Sequence, residues 1–222
     1  MSLGISDSAE RTNLSRDTAT RSVPPYVWKC AYAVLGAIAL TIPLGIGFFL
    51  YEGIFALLSD AGGLLVGVLL APLVWGLYLL NSGDGLDRPV LALGVLTVLG
   101  ICLGSLGLIV VNALSLDPAV YGGGFLAIQF AGWLFLGIWL LGVGALGLRN
   151  ETVERRVSWA AVATGIGSGD GIVTLVYSYA VGWFTPAFSV FMALFAVGFA
   201  LWAFWLGRGL RSEAARSSPD RV

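Results

Sequence analysis

Between Tyr26 and Arg208 the chain holds apolar runs too long for the core of a soluble domain. They lie at about 27–51, 61–80, 89–113, 120–148, 157–182 and 184–207, each near or above the roughly 18–20 residues that cross a bilayer. In hydrocarbon every backbone N–H and C=O needs a partner within the protein, so segments of this length are expected as helices. The expected fold is therefore all-α: a polytopic bundle of six transmembrane helices over 26–210, with tails at 1–25 and 211–222. Charged residues make up 11% of the chain, against about 25% in soluble domains, and mean hydropathy is +0.89.

The connectors carry turn chemistry at Ser59-Asp60, Asn81-Ser82-Gly83-Asp84-Gly85, Asp117-Pro118, Asn150-Glu151 and Thr185-Pro186. Residues 1–25, rich in Ser, Thr, Arg and Asp, read as a disordered tail. The first apolar run begins only at Tyr26 and is longer than a signal-peptide core, so it is expected to stay in the membrane.

Charge sets the expected orientation. Arg11, Arg16, Arg21 and Lys29 precede the first span, Arg88 follows the second, and Arg149, Arg155 and Arg156 lie between the fourth and fifth. Arg208, Arg211, Arg216 and Arg221 follow the sixth, so every basic residue falls at one end. The opposite loops carry only Glu52, Asp60 and Asp117. The positive-inside rule then puts both termini in the cytoplasm of a cell whose plasma membrane the chain spans several times. Eleven Arg against one Lys is the usage of a GC-rich prokaryotic genome. Tyr26, Trp28, Tyr78, Trp159, Trp202 and Trp205 are expected near the inner interface. Tyr51, Tyr121, Trp183 and Phe184 are expected near the outer one, with Trp133 and Trp139 deeper.

Several function classes drop out. Histidine is absent, which removes His-ligated haem, the usual zinc sites and Ser–His or Cys–His catalysis. Cys30 and Cys102 lie in different spans without metal-ligand spacing and read as small buried hydrophobes. A net charge of −1 with no basic face argues against nucleic acid as a partner. No cofactor, metal or catalytic residue is expected; the partners are the bilayer and another membrane protein or a second copy.

Gly63-xxx-Gly67 and Gly100-xxx-Gly104 put small residues on one helix face, where backbones approach closely. Pro43 and Pro72 fall inside the first two spans, where each is expected to bend its helix. Ser-Gly-Asp-Gly occurs at 82–85 and at 168–171, once in a connector and once within a span, which is chance recurrence rather than an inverted repeat.

The candidate site is in the fifth span, at Gly165-Ile166-Gly167-Ser168-Gly169-Asp170-Gly171. Asp170 is the one acid that cannot be placed at a membrane surface; from Arg156 it lies about 20 Å into a core about 30 Å thick. At helical spacing Asp170, Thr174 and Tyr177 stack as one stripe, with Ser178 beside them. Gly165 with Gly169, and Gly167 with Gly171, are small pairs on two faces, from which the fifth span is expected at the centre of the bundle.

Three readings follow. Asp170 is a buried structural residue, protonated or bonded to a neighbouring hydroxyl. Alternatively the glycines break the helix, and freed carbonyls with Asp170, Ser168, Thr174, Tyr177, Gly167 and Gly169 hold a proton, a cation or a polar solute, as in transporters. Third, Gly167-Ser168-Gly169-Asp170 has the G-x-G-D form of intramembrane aspartyl proteases, with Pro186-Ala187-Phe188 near their Pro-Ala-Leu element. That chemistry needs a second carboxylate inside a span, and none is present.

Trp139-Leu140-Leu141-Gly142, Gly147-Leu148-Arg149, Arg155-Arg156, Trp159 and Trp202-x-x-Trp205-Leu206-Gly207-Arg208 resemble a loose set of uncharacterised six-span prokaryotic membrane proteins, over about 125–211. The resemblance implies the six-span fold and no activity. The expectation is a small transporter-like protein with a polar site around Asp170, or else a non-catalytic structural or accessory subunit that binds a partner.

Overall fold

The computed structural model of the protein describes residues 24, 26–51, 54–82, 85–181 and 186–216; side chains at 42, 45–51, 118–119, 169–193, 213 and 215–216 are not among those described. It is all-helical, with no strand among the described residues. The helices are α1 (Tyr26–Tyr51), α2 (Ile54–Asn81), α3 (Asp87–Ala113), α4 (Gly123–Asn150), α5 (Arg155–Val181) and α6 (Pro186–Arg216), with a π-helical turn at Pro118–Gly122 leading into α4. Three stretches are long and apolar enough to cross a membrane, Ile54–Asn81, Asp87–Ala113 and Val120–Asn150, and Tyr26–Thr41 is a shorter apolar helix. They are compatible with an integral membrane protein.

Helix ends follow local chemistry. Asp87 opens α3, and its Oδ1 accepts the Arg88 backbone N–H at 2.8 Å, satisfying one of the orphan donors of a first turn. α3 and α4 each close near a left-handed residue, Ser115 (φ 51°) and Glu151 (φ 52°), positions where glycine is the usual choice. Two boundaries differ from the expected ones. Ser59-Asp60 is no turn: it lies inside α2, which starts at Ile54, because a Ser-Asp pair reads the same in sequence whether it ends a helix or lies within one. The tail expected from residue 211 is helical as far as Arg216. Pro43 and Pro72 sit within α1 and α2, which continue past them.

Short connectors make successive helices antiparallel neighbours, and each packs on the next. α6 returns to pack on α1, so the six form a closed ring; across it, among the described residues, only α2 and α4 come close at the backbone. All six helices contribute to one core. Its centre is aromatic. Trp139 on α4 is 1% exposed and reaches Val74 of α2 beside Gly94 of α3. Its ring meets Trp202 of α6 edge-on at 5.9 Å; Trp202 stacks on Phe199 at 5.3 Å and Phe199 on Phe195 at 6.0 Å. Trp133 closes the series edge-on to Phe195 at 6.3 Å. The ladder ties α4 to α6 behind α5, and such pairs contribute about 0.5–1.5 kcal/mol each beyond burial.

Glycines set the spacing of the ring. Gly63 and Gly67 face α3: a Cβ at Gly67 would lie 2.6 Å from Cys102 Sγ. Gly100 and Gly104 face α4: a Cβ at Gly100 would lie 2.6 Å from the Gly132 Cα, so the two backbones touch. Both motifs are spent on contacts within the chain.

Candidate functional site

α5 runs without interruption from Arg155 to Val181, through every glycine of the 165–171 stretch. The broken-helix reading is therefore corrected. An intact ladder keeps the carbonyls occupied, and the weakening of a helix by about 1 kcal/mol per Gly is too small to force a break. Ser168 is buried; its hydroxyl donates to the Gly165 carbonyl at 2.7 Å and packs against Gly137 of α4. Thr164 likewise donates to the Ala160 carbonyl at 2.7 Å and lies against Gly198 of α6. Each hydroxyl thus donates its one proton within α5 itself.

The expected central position of this helix is corrected as well. Among the described residues α5 packs on α4 and α6 alone. Gly165 is wedged against Gly137 and Leu141, whereas a Cβ at Gly167 would meet nothing within 4 Å. One glycine face is a contact and the other is open.

Gly169 and the side chains of Asp170, Thr174 and Tyr177 lie outside the described residues; their helical register does not. Asp170 continues the row Trp159, Ala163, Ile166 at spacings of four, three and four, and Thr174 and Tyr177 extend it. The described members of that row are exposed, Trp159 at 53% and Ile166 at 57%. Ser168 belongs to the opposite row, with Ala161, Thr164 and Gly165, all buried. In a continuous helix, positions two apart are about 200° apart in register, so position 170 falls on the row opposite that of Ser168.

A polar cluster that the sequence did not single out joins α2, α3 and α4 at the end away from the basic residues. Gln129 Nε2 donates to Ser105 Oγ at 2.8 Å and also reaches the Asp60 carboxylate, to which Asn112 Nδ2 donates at 3.4 Å. Ser105 is fully buried. Gly63 makes the room, since a Cβ there would lie 2.8 Å from Ser105 Oγ. Gln129 is the only glutamine in the chain, and a lone amide inside an apolar run was the available signal. At the basic end, buried Asn81 donates to the Leu77 carbonyl at 2.9 Å and accepts from Thr152 Oγ1 at 2.8 Å, pinning the α4–α5 connector to the end of α2. The Gln129–Ser105 bond is an interhelical tie, of a kind that contributes about 0.6 kcal/mol and at most about 1.7 kcal/mol in membranes, whereas the Asn81–Thr152 bond holds a connector to a helix end.

Two cavities among the described residues are small. One of about 90 Å³ lies between the start of α5 and the end of α6, beside Val157 and Leu210, and one of about 10 Å³, room for one water at most, adjoins Asn81 and Trp139. Ser158 Oγ and Trp202 Nε1 are buried without a hydrogen-bond partner. Among the described residues no three acidic or cysteine side chains gather as metal ligands, and Cys30 and Cys102 are free thiols. No protein-family model, curated protein or solved structure matches this chain.

Proposed function

We propose that the chain is a six-span protein of the prokaryotic cell membrane, both termini cytoplasmic, that works as a non-catalytic subunit. It binds a partner membrane protein through the outer half of α5. The observation that carries this reading is register: Asp170, Thr174 and Tyr177 continue the exposed row of α5 rather than its packed row. A carboxyl facing lipid costs about 2.5–3.5 kcal/mol on insertion scales, and a partner helix that supplies a donor removes that cost. A Lys or Arg at the same depth is the most favourable donor. This chain carries none there, since all its basic residues lie at the other end, so a second copy is not the occupant. The transporter-like reading needs Asp170 turned into the bundle, and loses support from the unbroken helix and the aromatic centre of the ring.

The test places a photo-crosslinking residue at Thr174, and as a control at Ala161 in the packed row, in the full chain within its native membrane. Thr174 is expected to capture one discrete heterologous membrane protein, and Asp170→Leu to abolish capture without changing the melting temperature of the purified chain. Capture of lipid only, of a second copy, or of this chain's own helices would each overturn the reading.

A further inference from the structure

The seam between α1 and α6 is the one contact of the ring not bridged by a connecting segment. At its basic end stands Trp28. The Lys29 ammonium lies 5.6 Å from the Trp28 ring centroid, and the Arg211 guanidinium, from the other side of the seam, lies 5.6 Å from the same centroid. Both cations are exposed, and among the described residues neither forms an ion pair. The Trp28 ring attracts each cation without neutralising its charge, so two exposed positive groups stand beside one aromatic ring at this end of the seam.

Below the cations the seam is aromatic and then open. Trp28 meets Tyr32 edge-on at 6.2 Å and Tyr32 meets Phe204 of α6 at 6.3 Å. One helical turn beyond Tyr32, Gly36 is exposed, and an added Cβ there would meet nothing within 4 Å. Two cations, an aromatic pair and an open small residue follow one another along α1. That order matches a phospholipid: anionic headgroup, glycerol region, acyl chain.

We propose that this seam holds an anionic phospholipid of the inner leaflet, its phosphate bridging Lys29 and Arg211 and its chain lying past Tyr32 and Gly36. The bound lipid joins the first helix to the last where no loop does so. This site is independent of the α5 partner surface, and the two stand or fall separately.

The experiment measures thermal unfolding of the purified full chain in detergent, with phosphatidylglycerol or phosphatidylcholine of identical acyl chains added, and with inorganic phosphate alone. Phosphatidylglycerol is expected to raise the melting temperature by several degrees over phosphatidylcholine. Lys29→Gln with Arg211→Gln should weaken the apparent affinity about 30-fold, at roughly fivefold per basic residue near an anionic surface. Arg88→Gln, away from the seam, should leave it unchanged. Equal stabilisation by the two lipids, or an undiminished preference in the double variant, overturns the proposal. So does inorganic phosphate reproducing the shift, which would identify a free-anion site. All three substitutions are at exposed positions, so loss of folding does not confound the comparison.

Discussion

Gly100→Ala puts one methyl group where α3 and α4 touch. The added Cβ would lie 2.6 Å from the Gly132 Cα and 2.9 Å from its nitrogen, both backbone atoms that no rotamer change can move. Carbon pairs rest at about 3.5–4.0 Å, so the helices must part by about 1 Å, and a gap of that size forfeits a quarter to a half of each dispersion contact along the crossing. Some thirty such pairs at about 0.15 kcal/mol each give a loss of about 1–2 kcal/mol. The Gln129–Ser105 hydrogen bond lies beside the crossing on the same two helices, and its loss adds about 0.6 kcal/mol. Better helix propensity returns at most about 1 kcal/mol. Gly167→Ala is the control, because its Cβ meets nothing within 4 Å. Equilibrium unfolding in mixed micelles should show Gly100→Ala destabilised by about 1–2 kcal/mol and Gly167→Ala unchanged or slightly more stable. If both variants unfold together with wild type, the backbone contact between α3 and α4 is absent and the ring spacing argued above is wrong.

Gln129→Leu, Ser105→Ala and the double variant should give a coupling energy of about 0.6–1.7 kcal/mol in the same unfolding assay, and strict additivity would show that the two side chains do not interact. For topology, a reporter active only in the cytoplasm and fused after Val222 should be active, as should one inserted between Asn150 and Arg155; activity from a periplasm-specific reporter at either place would reverse the assigned orientation.

Much of the fold is legible in the apolar runs, and the reason is physical: a long run without charge has few options besides a helix. The glycine motifs were legible as points of close approach, but not their partners, since Gly63-xxx-Gly67 presents the same small face whichever helix covers it. Ring closure was not legible at all. The contact between α1 and α6 joins segments far apart in the chain, and its markers, Gly207 under the Tyr32 ring and Arg211 beside Trp28, are ordinary residues until the ends meet.

Asp170 was conspicuous because charge in hydrocarbon is costly, whereas Gln129 passed unnoticed because a neutral amide is cheap. Which face of α5 is covered could not be read from α5 itself. Gly165 and Gly169 mark one face and Gly167 and Gly171 another, so small residues failed to distinguish contact from exposure; the packing of Gly165 on Gly137 and the emptiness around Gly167 do.

The ring gives that difference its functional weight. In a bundle with a central helix, a carboxyl on that helix is enclosed whichever way it faces, and internal hydroxyls can satisfy it. In this ring α5 has two neighbours, α4 and α6, so one side of it is left uncovered, and a carboxyl on an uncovered side has no internal donor to turn to. For α5 the uncovered side is the row of Trp159 and Ile166. On the proposed reading, an acid in that row has no donor within the chain, and a second protein supplies it. The architecture thereby turns a question about one side chain into one about assembly: the cheaper it proves to remove Asp170 from the isolated protein, the stronger the case that its partner lies on another chain.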